Sequence, residues 1–173
     1  MSDYFYTIID SPVGPILLAG DGVALRIIRF QEGTTPLDPP EAWKQDDRSF
    51  SDAAMQLKEY FAGKRRSFEL PLRPEGTPFQ IKVWAELGRV PYGETISYGE
   101  LARRVGNPNA MRAVGAANGA NPLPIVIPCH RVIGANGKMV GYAAGLPIKQ
   151  RLLAIEAEHS SLLFRTTASA ARS

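Results

Sequence analysis

The sequence predicts a mixed α/β (α+β) protein of two lobes, the first rich in β structure and the second helical. Three observations support this. Residues 4–30 carry strand-forming runs punctuated by Ser11-Pro12-Val13-Gly14-Pro15 and Gly20-Asp21-Gly22, the signals of successive hairpins. Two capping-box sequences, Thr77 to Gln80 and Ser97 to Glu100, open helices in the second half. Ahead of both, Arg73-Pro74-Glu75-Gly76 has the composition of a linker. The expected units are 1–73, 74–159 and a flexible tail over 160–173.

Taken in order, Tyr4, Tyr6 and Ile8 alternate with Phe5, Thr7 and Ile9 as in a strand, and residues 16–19 and 23–30 flank the Gly20-Asp21-Gly22 turn. Residues 31–48 are polar and proline-bearing and read as a loop. A helix follows over about 51–62, with Ala54, Leu57 and Phe61 on one face and Gly63 as its stop. Residues 68–72 read as one more strand. Pro78, at the first helical position after Thr77, strengthens a helix in which Phe79, Val83 and Leu87 recur every four residues. The Ser97 helix carries Leu101 and Val105 and ends at Gly106, and Asn107-Pro108 caps a third helix over about 108–119. Two short helices joined by a tight turn make a helix-turn-helix.

The third helix is sparsely clothed. Met111 and Val114 face inward, while Ala110, Ala113, Ala116, Ala117 and Gly119 leave the rest almost bare around the single charge of Arg112. Such a surface can approach another body closely, and a long cation can reach into it. The same composition also fits a buried helix packed through small residues, although a buried unpaired guanidinium is costly.

Composition narrows the function. The chain of 173 residues is 45% hydrophobic, as a folded globular protein is. Its one cysteine excludes an internal disulfide and a multi-cysteine zinc site, and it suits a reducing compartment. No apolar run is long enough to span a bilayer, and Met-Ser-Asp-Tyr-Phe-Tyr lacks the features of a signal peptide. A soluble cytoplasmic protein without a membrane partner is expected. Residues 1–76 hold nine Lys/Arg against twelve Asp/Glu, whereas residues 77–156 hold nine against four. That asymmetry directs the second half toward a polyanion.

The cysteine itself, Cys129, is followed by His130 and preceded by Pro124-Ile125-Val126-Ile127-Pro128. The prolines make the approach stiff and non-helical. A thiol beside an imidazole suggests a nucleophile that can be deprotonated near neutral pH. Neighbouring side chains in an extended segment point apart, so a turn or a water must bring the two together. A lone cysteine is also commonly a small buried hydrophobe. Ile148, Leu152 and Glu156 fall on one helix stripe, which places a carboxylate on the inward face, where an imidazole would be a fitting partner.

Tyr92-Gly93-Glu94-Thr95-Ile96-Ser97-Tyr98, Asn107-Pro108, Arg112-Ala113-Val114-Gly115, Asn121-Pro122 and Ile127-Pro128-Cys129-His130-Arg131-Val132 together resemble the O6-alkylguanine-DNA alkyltransferase family. Gly141-Tyr142 and Leu152-Leu153-Ala154-Ile155-Glu156 extend the match, which covers residues 77–156 with order and spacing intact. The N-terminal lobe is similar only in its hairpins and following helix.

The resemblance implies a ribonuclease-H-like structural first lobe and a winged helix-turn-helix-like second lobe that binds DNA and carries the active cysteine. It implies irreversible, single-turnover transfer of the alkyl group from O6-alkylguanine, and from O4-alkylthymine, to Cys129. By the same resemblance His130 draws the thiol proton through a water, Glu156 holds His130, and Asn121 supports the hinge before the active-site strand. Tyr98, Val132, Tyr142 and Ala143 would shape the pocket for the base. Arg112, Ala110, Ala113 and Gly115 would meet double-stranded DNA in the minor groove, Arg112 replacing a base that has rotated out of the stack.

Two departures stand out. Ala144 occupies a position where the family usually has glycine, adding a methyl near the pocket mouth. The zinc-binding cysteines that some members carry in the first lobe are absent, so no metal and no cofactor are expected. A monomer is expected, with clustering on DNA left open. The alternatives are a non-enzymatic helix-turn-helix protein that recognises alkylated bases, which would have no use for Cys129, and a cysteine hydrolase, for which His159 is the other histidine.

Overall fold

A computed structural model describes residues 3–139 and 141–172, with the side chains of 161–172 outside the described set. The first lobe is a four-stranded sheet in the order β3-β2-β1-β4, made from β1 (Phe5–Ile9), β2 (Ile16–Gly20), β3 (Leu25–Phe30) and β4 (Lys44–Gln45). β1 with β2 and β2 with β3 are antiparallel, while β4 lies parallel to β1. β2 is an unbroken apolar run and is buried along its whole length, as a central strand covered on both faces should be. A 3-10 turn, Arg48–Phe50, leads into α1 (Ser51–Phe61), whose Leu57 and Tyr60 are buried.

Two expectations for this lobe need correction. Residues 31–48, read as loop, contain β4, a two-residue strand too short and polar to announce itself. Residues 68–72, read as a strand, make only an isolated bridge from Leu72 to Leu25. Pro71 has no N–H to offer a ladder, and its carbonyl instead accepts from Leu25 N–H at 2.8 Å. The inward face of α1 is also rotated from the expected one, with Ala53, Gln56, Leu57 and Tyr60 buried.

The second lobe comprises α2 (Pro78–Leu87), β5 (Ile96–Ser97), α3 (Tyr98–Arg104), α4 (Met111–Gly119), β6 (Val132–Ile133) and α5 (Leu146–Arg172). The Thr77 capping box forms in full. The Ser97 box forms by half: Ser97 accepts from Glu100 N–H, but the Glu100 carboxylate turns to Arg103 and Arg104. An ion pair on the exposed helix face wins over the reciprocal cap. α4 begins three residues later than expected, because Pro108 and Asn109 form a turn and Ala110 is the N-cap. The shift leaves Met111 48% exposed, not inward. Trp84 Nε1 donates to the Ala117 carbonyl at 2.8 Å and locks α2 against α4. β5 and β6 pair in parallel beside α3.

The lobes are joined by hydrogen bonds as well as packing. Ile28 N–H on β3 donates to the Pro122 carbonyl at 2.9 Å, and Thr34 N–H donates to the Ala144 carbonyl at 3.2 Å. Thr34 Oγ1 donates to the Ala143 carbonyl at 2.6 Å. One apolar core runs from Leu18 and Tyr60 through to Leu101, Ile125 and Leu152. Among the described residues no helix is long and apolar enough to cross a membrane. Of the tail expected over 160–173, the backbone as far as Arg172 continues α5, while the side chains from 161 on lie outside the described set.

Candidate active site

The site forms where a strained turn, a cavity and a helix stripe meet. Residues 123–127 close on themselves, Ile127 N–H donating to the Leu123 carbonyl at 2.9 Å. Ile125 sits at φ 74°, a left-handed conformation that a β-branched residue resists. Its side chain is buried in the core, so packing holds the backbone there. A 3-10 turn, Cys129–Arg131, follows Pro128, where a strand had been expected. At three residues per turn it sets successive side chains about 120° apart. Cys129, His130 and Arg131 therefore enter three different environments.

Cys129 meets a cavity of about 570 Å³. Ile28, Phe30 and Thr35 line it from the first lobe, and Tyr98, Gly115, Asn118, Asn121, Tyr142, Ala143 and Ala144 from the second. Burial pushes the Cys129 thiol above its usual value, and hydrogen bonds with Asn121 and Tyr142 and the charge of Lys149 offset this only in part. The resting group is a neutral thiol, which corrects the expectation of a readily ionised one: low dielectric disfavours the anion. Sγ lies 3.9 Å from the Tyr142 hydroxyl. Tyr98 hydrogen-bonds with Asn118, whose Nδ2 also reaches the Cys129 carbonyl at 3.4 Å. Asn121 donates to the Ile127 carbonyl at 2.7 Å.

His130 is wholly buried, and its Nε2 lies 2.5 Å from Glu156 Oε2. Burial, first, pushes its pKa down, with Glu156 opposing, so the imidazole is neutral near pH 7. Burial works to raise the Glu156 carboxyl, but hydrogen bonds from His130 and Arg131, with the Arg131 charge, overcome it and hold it at about 2. An ionised carboxylate can only accept, so Nε2 carries the proton and Nδ1 keeps its lone pair. Nδ1 has no partner among the described residues. A neutral, oriented base is the result.

Glu156 is more heavily held than the sequence suggests. Arg131 Nε donates to Oε1 at 2.8 Å and Nη2 to Oε2 at 3.1 Å, while its Nη1 donates to the Val90 carbonyl at 2.7 Å. Gly93 N–H donates to Oε1 at 3.0 Å, at φ 79°. A Cβ at Gly93 would stand 2.1 Å from Ser160 Oγ, so only glycine brings that N–H to the carboxylate. Tyr60 donates to Oε2 at 2.6 Å from the other lobe.

The structure brings Cys129, His130, Glu156, Asn121, Tyr98, Tyr142 and Ala143 together at or behind the cavity. Val132 is buried in β6 and does not line it; its carbonyl accepts from Lys149 Nζ at 2.6 Å. Arg112 and Ala113 are exposed on α4, Ala110 is half-buried at its N-cap, and Gly115 lies on the cavity rim. Ala144 packs toward Gly33, where a Cβ would come 3.4 Å from its methyl. Sequence reasoning missed Tyr60, Arg131 and Lys149. The last two carried a signal, a charge on an otherwise apolar stripe or motif. No group of three or more His, Cys, Asp or Glu that could hold a metal occurs among the described residues.

Fold and site define a class: a two-lobed protein that sets a buried cysteine at a cavity beneath a small-residue helix of a helix-turn-helix. Two family models match, the ribonuclease-like domain of 6-O-methylguanine DNA methyltransferase over residues 4–74 and its DNA binding domain over residues 78–158. A methylated-DNA–protein-cysteine methyltransferase of Methanosarcina acetivorans is 53% identical over 152 residues, covering 88% of this chain and 97% of that protein. The chain also resembles the crystal structure of Mycobacterium tuberculosis O6-methylguanine methyltransferase, at TM-score 0.83 and 47% identity over 90% of this chain and 94% of that one. The DNA complex of the Mycobacterium tuberculosis protein matches at TM-score 0.83 and 48% identity over the same shares. This chain belongs to the 6-O-methylguanine DNA methyltransferase family.

Proposed function

We propose that the protein repairs alkylated DNA by moving the alkyl group from O6 of a guanine, rotated out of the duplex, to Cys129, once per molecule. The observation that carries this reading is the pairing of a cavity-facing thiol with a neutral His130 whose proton-accepting atom has no partner among the described residues. The membership of the family and the methyltransferase names of its relatives agree with it.

The chemistry follows from the protonation states. Cys129 rests as a thiol, so its proton must leave as sulfur attacks. Among the described residues no hydrogen bond joins thiol and imidazole, and a bridging water takes the proton to His130 Nδ1. Glu156 stabilises the imidazolium that forms. The S–C bond forms as the C–O6 bond breaks, and the guanine departs as the leaving group, with Tyr98 beside the cavity to stabilise its developing charge. A thioether has no comparable exit, so the protein is consumed. Lys149, charged and buried behind the thiol, favours the anion as it forms.

DNA is the partner. In this reading α4 enters the minor groove, its exposed Ala113, Ala116 and Gly119 allowing close approach and Arg112 filling the gap left by the rotated base. Cys129→Ala, mixed with duplex containing O6-methylguanine, should bind with nearly unchanged affinity but transfer nothing. Transfer by that variant at any appreciable rate would refute the role of Cys129.

A further inference from the structure

The relay just described uses one side of Glu156, yet the same oxygen that meets His130 is also bound from the other lobe. Tyr60 lies on α1, is wholly buried, and donates to Glu156 Oε2 at 2.6 Å. Its ring packs edge-on to Phe61 and Tyr92 and tilted on Phe68. A buried hydroxyl needs an acceptor, but the acceptor here is the one atom through which the relay acts. Every hydrogen bond that Oε2 accepts disperses negative charge that would otherwise stabilise the imidazolium.

We propose that Tyr60 is a positioning residue of the N-terminal lobe for alkyl transfer: by donating to the Glu156 oxygen that holds His130, it sets the pH at which His130 can accept the thiol proton. This rests on the alkyl-transfer reading and extends the hydrogen-bonded relay into the N-terminal lobe. The charged and titratable groups facing the pair are Arg131 on the same turn, Lys149 on α5, Tyr92 from the loop before β5 and Tyr142 from the loop before α5. None but Arg131 and Tyr60 shares Oε2 with His130.

Tyr60→Phe removes only the oxygen and keeps the ring. Without that donor Oε2 draws harder on the imidazole, and His130 holds its proton to higher pH. The acid limb of the single-turnover rate on duplex containing O6-methylguanine should move up by about one pH unit, with the alkaline plateau little changed. Titration of His130 by NMR, simple to assign in a chain with two histidines, should move the same way. Incorporating 3-fluorotyrosine at position 60, a stronger donor of nearly equal size, should move the limb down and keeps the test alive should Tyr60→Phe fail to fold. An unmoved limb, or a fall in rate equal at every pH, overturns the role of Tyr60. Wild-type protein that never alkylates Cys129 instead overturns the reading beneath it.

Discussion

Asn121 braces the turn that delivers the nucleophile: its Nδ2 donates to the Ile127 carbonyl at 2.7 Å, two residues before Cys129. Its Oδ1 meanwhile accepts from Leu123 N–H at 3.0 Å. One side chain thus spans both ends of a turn that contains the strained Ile125, and also hydrogen-bonds the thiol.

Asn121→Ala should therefore loosen the turn. The buried Leu123 N–H would lose its partner, and the Ile127 carbonyl would keep only the Cys129 N–H at 2.8 Å, a loss of about 1–3 kcal/mol, or about 3–10 °C in Tm for a chain of this size. Transfer from duplex containing O6-methylguanine should slow by about tenfold or more through misplacement of Sγ. A melting curve and a single-turnover rate measure the two losses, and an unchanged rate would show that the brace is dispensable.

The Glu156 network should govern acid stability. Its folded pKa, about 2 against an ordinary 4.5, is depressed, so its contribution is present above the unfolded value and is lost as pH falls toward the folded one. The difference corresponds to about 3 kcal/mol, lost between about pH 5 and pH 2. Denaturant midpoints taken across that window should drop steeply in the wild type and more gently in Glu156→Gln. At pH 7 Glu156→Ala should be worse than Glu156→Gln, because it strands buried Arg131, at about 3–5 kcal/mol.

Arg112 is exposed on α4. Arg112→Ala should slow transfer from duplex by about tenfold or more, since base extrusion costs a few kcal/mol. Reaction with free O6-methylguanine base should be nearly unaffected. Loss of one cation should also flatten the salt dependence of duplex binding by about one unit of slope. Equal losses on duplex and free base would remove its proposed role.

Gly33 sits where the first lobe touches the loop that walls the cavity. A Cβ there would stand 2.7 Å from the Ala144 carbonyl and 3.4 Å from its methyl. Gly33→Ala should push residues 141–145 into the cavity and slow transfer of bulky alkyl groups more than of methyl. The ratio of the two rates reads this out. Adding Ala144→Gly should leave the ratio unrescued, because the clash is with the backbone carbonyl and not with the methyl.

Much of the second lobe could be read because its signals are local. Thr77, Pro78 and Gln80 state a helix start within four residues, and Glu156 follows Ile148 and Leu152 on a single stripe. What escaped was set by contacts distant in sequence. Tyr60 reaches Glu156 across 96 residues, and nothing on α1 distinguishes it from a core aromatic. The start of α4 was misplaced because Asn107-Pro108 is equally good chemistry for a turn. The thiol was expected to ionise from its neighbour in sequence, but the 3-10 turn sends His130 to Glu156 and leaves Cys129 in a low-dielectric cavity, where burial dominates.

The most direct test of the account is the intact mass of the protein after incubation with duplex containing O6-methylguanine. The account predicts the gain of one methyl group per molecule, located at Cys129 by peptide mapping, with no second turnover at any excess of DNA. Folded, reduced protein whose Cys129 stays unmodified after long incubation would contradict it.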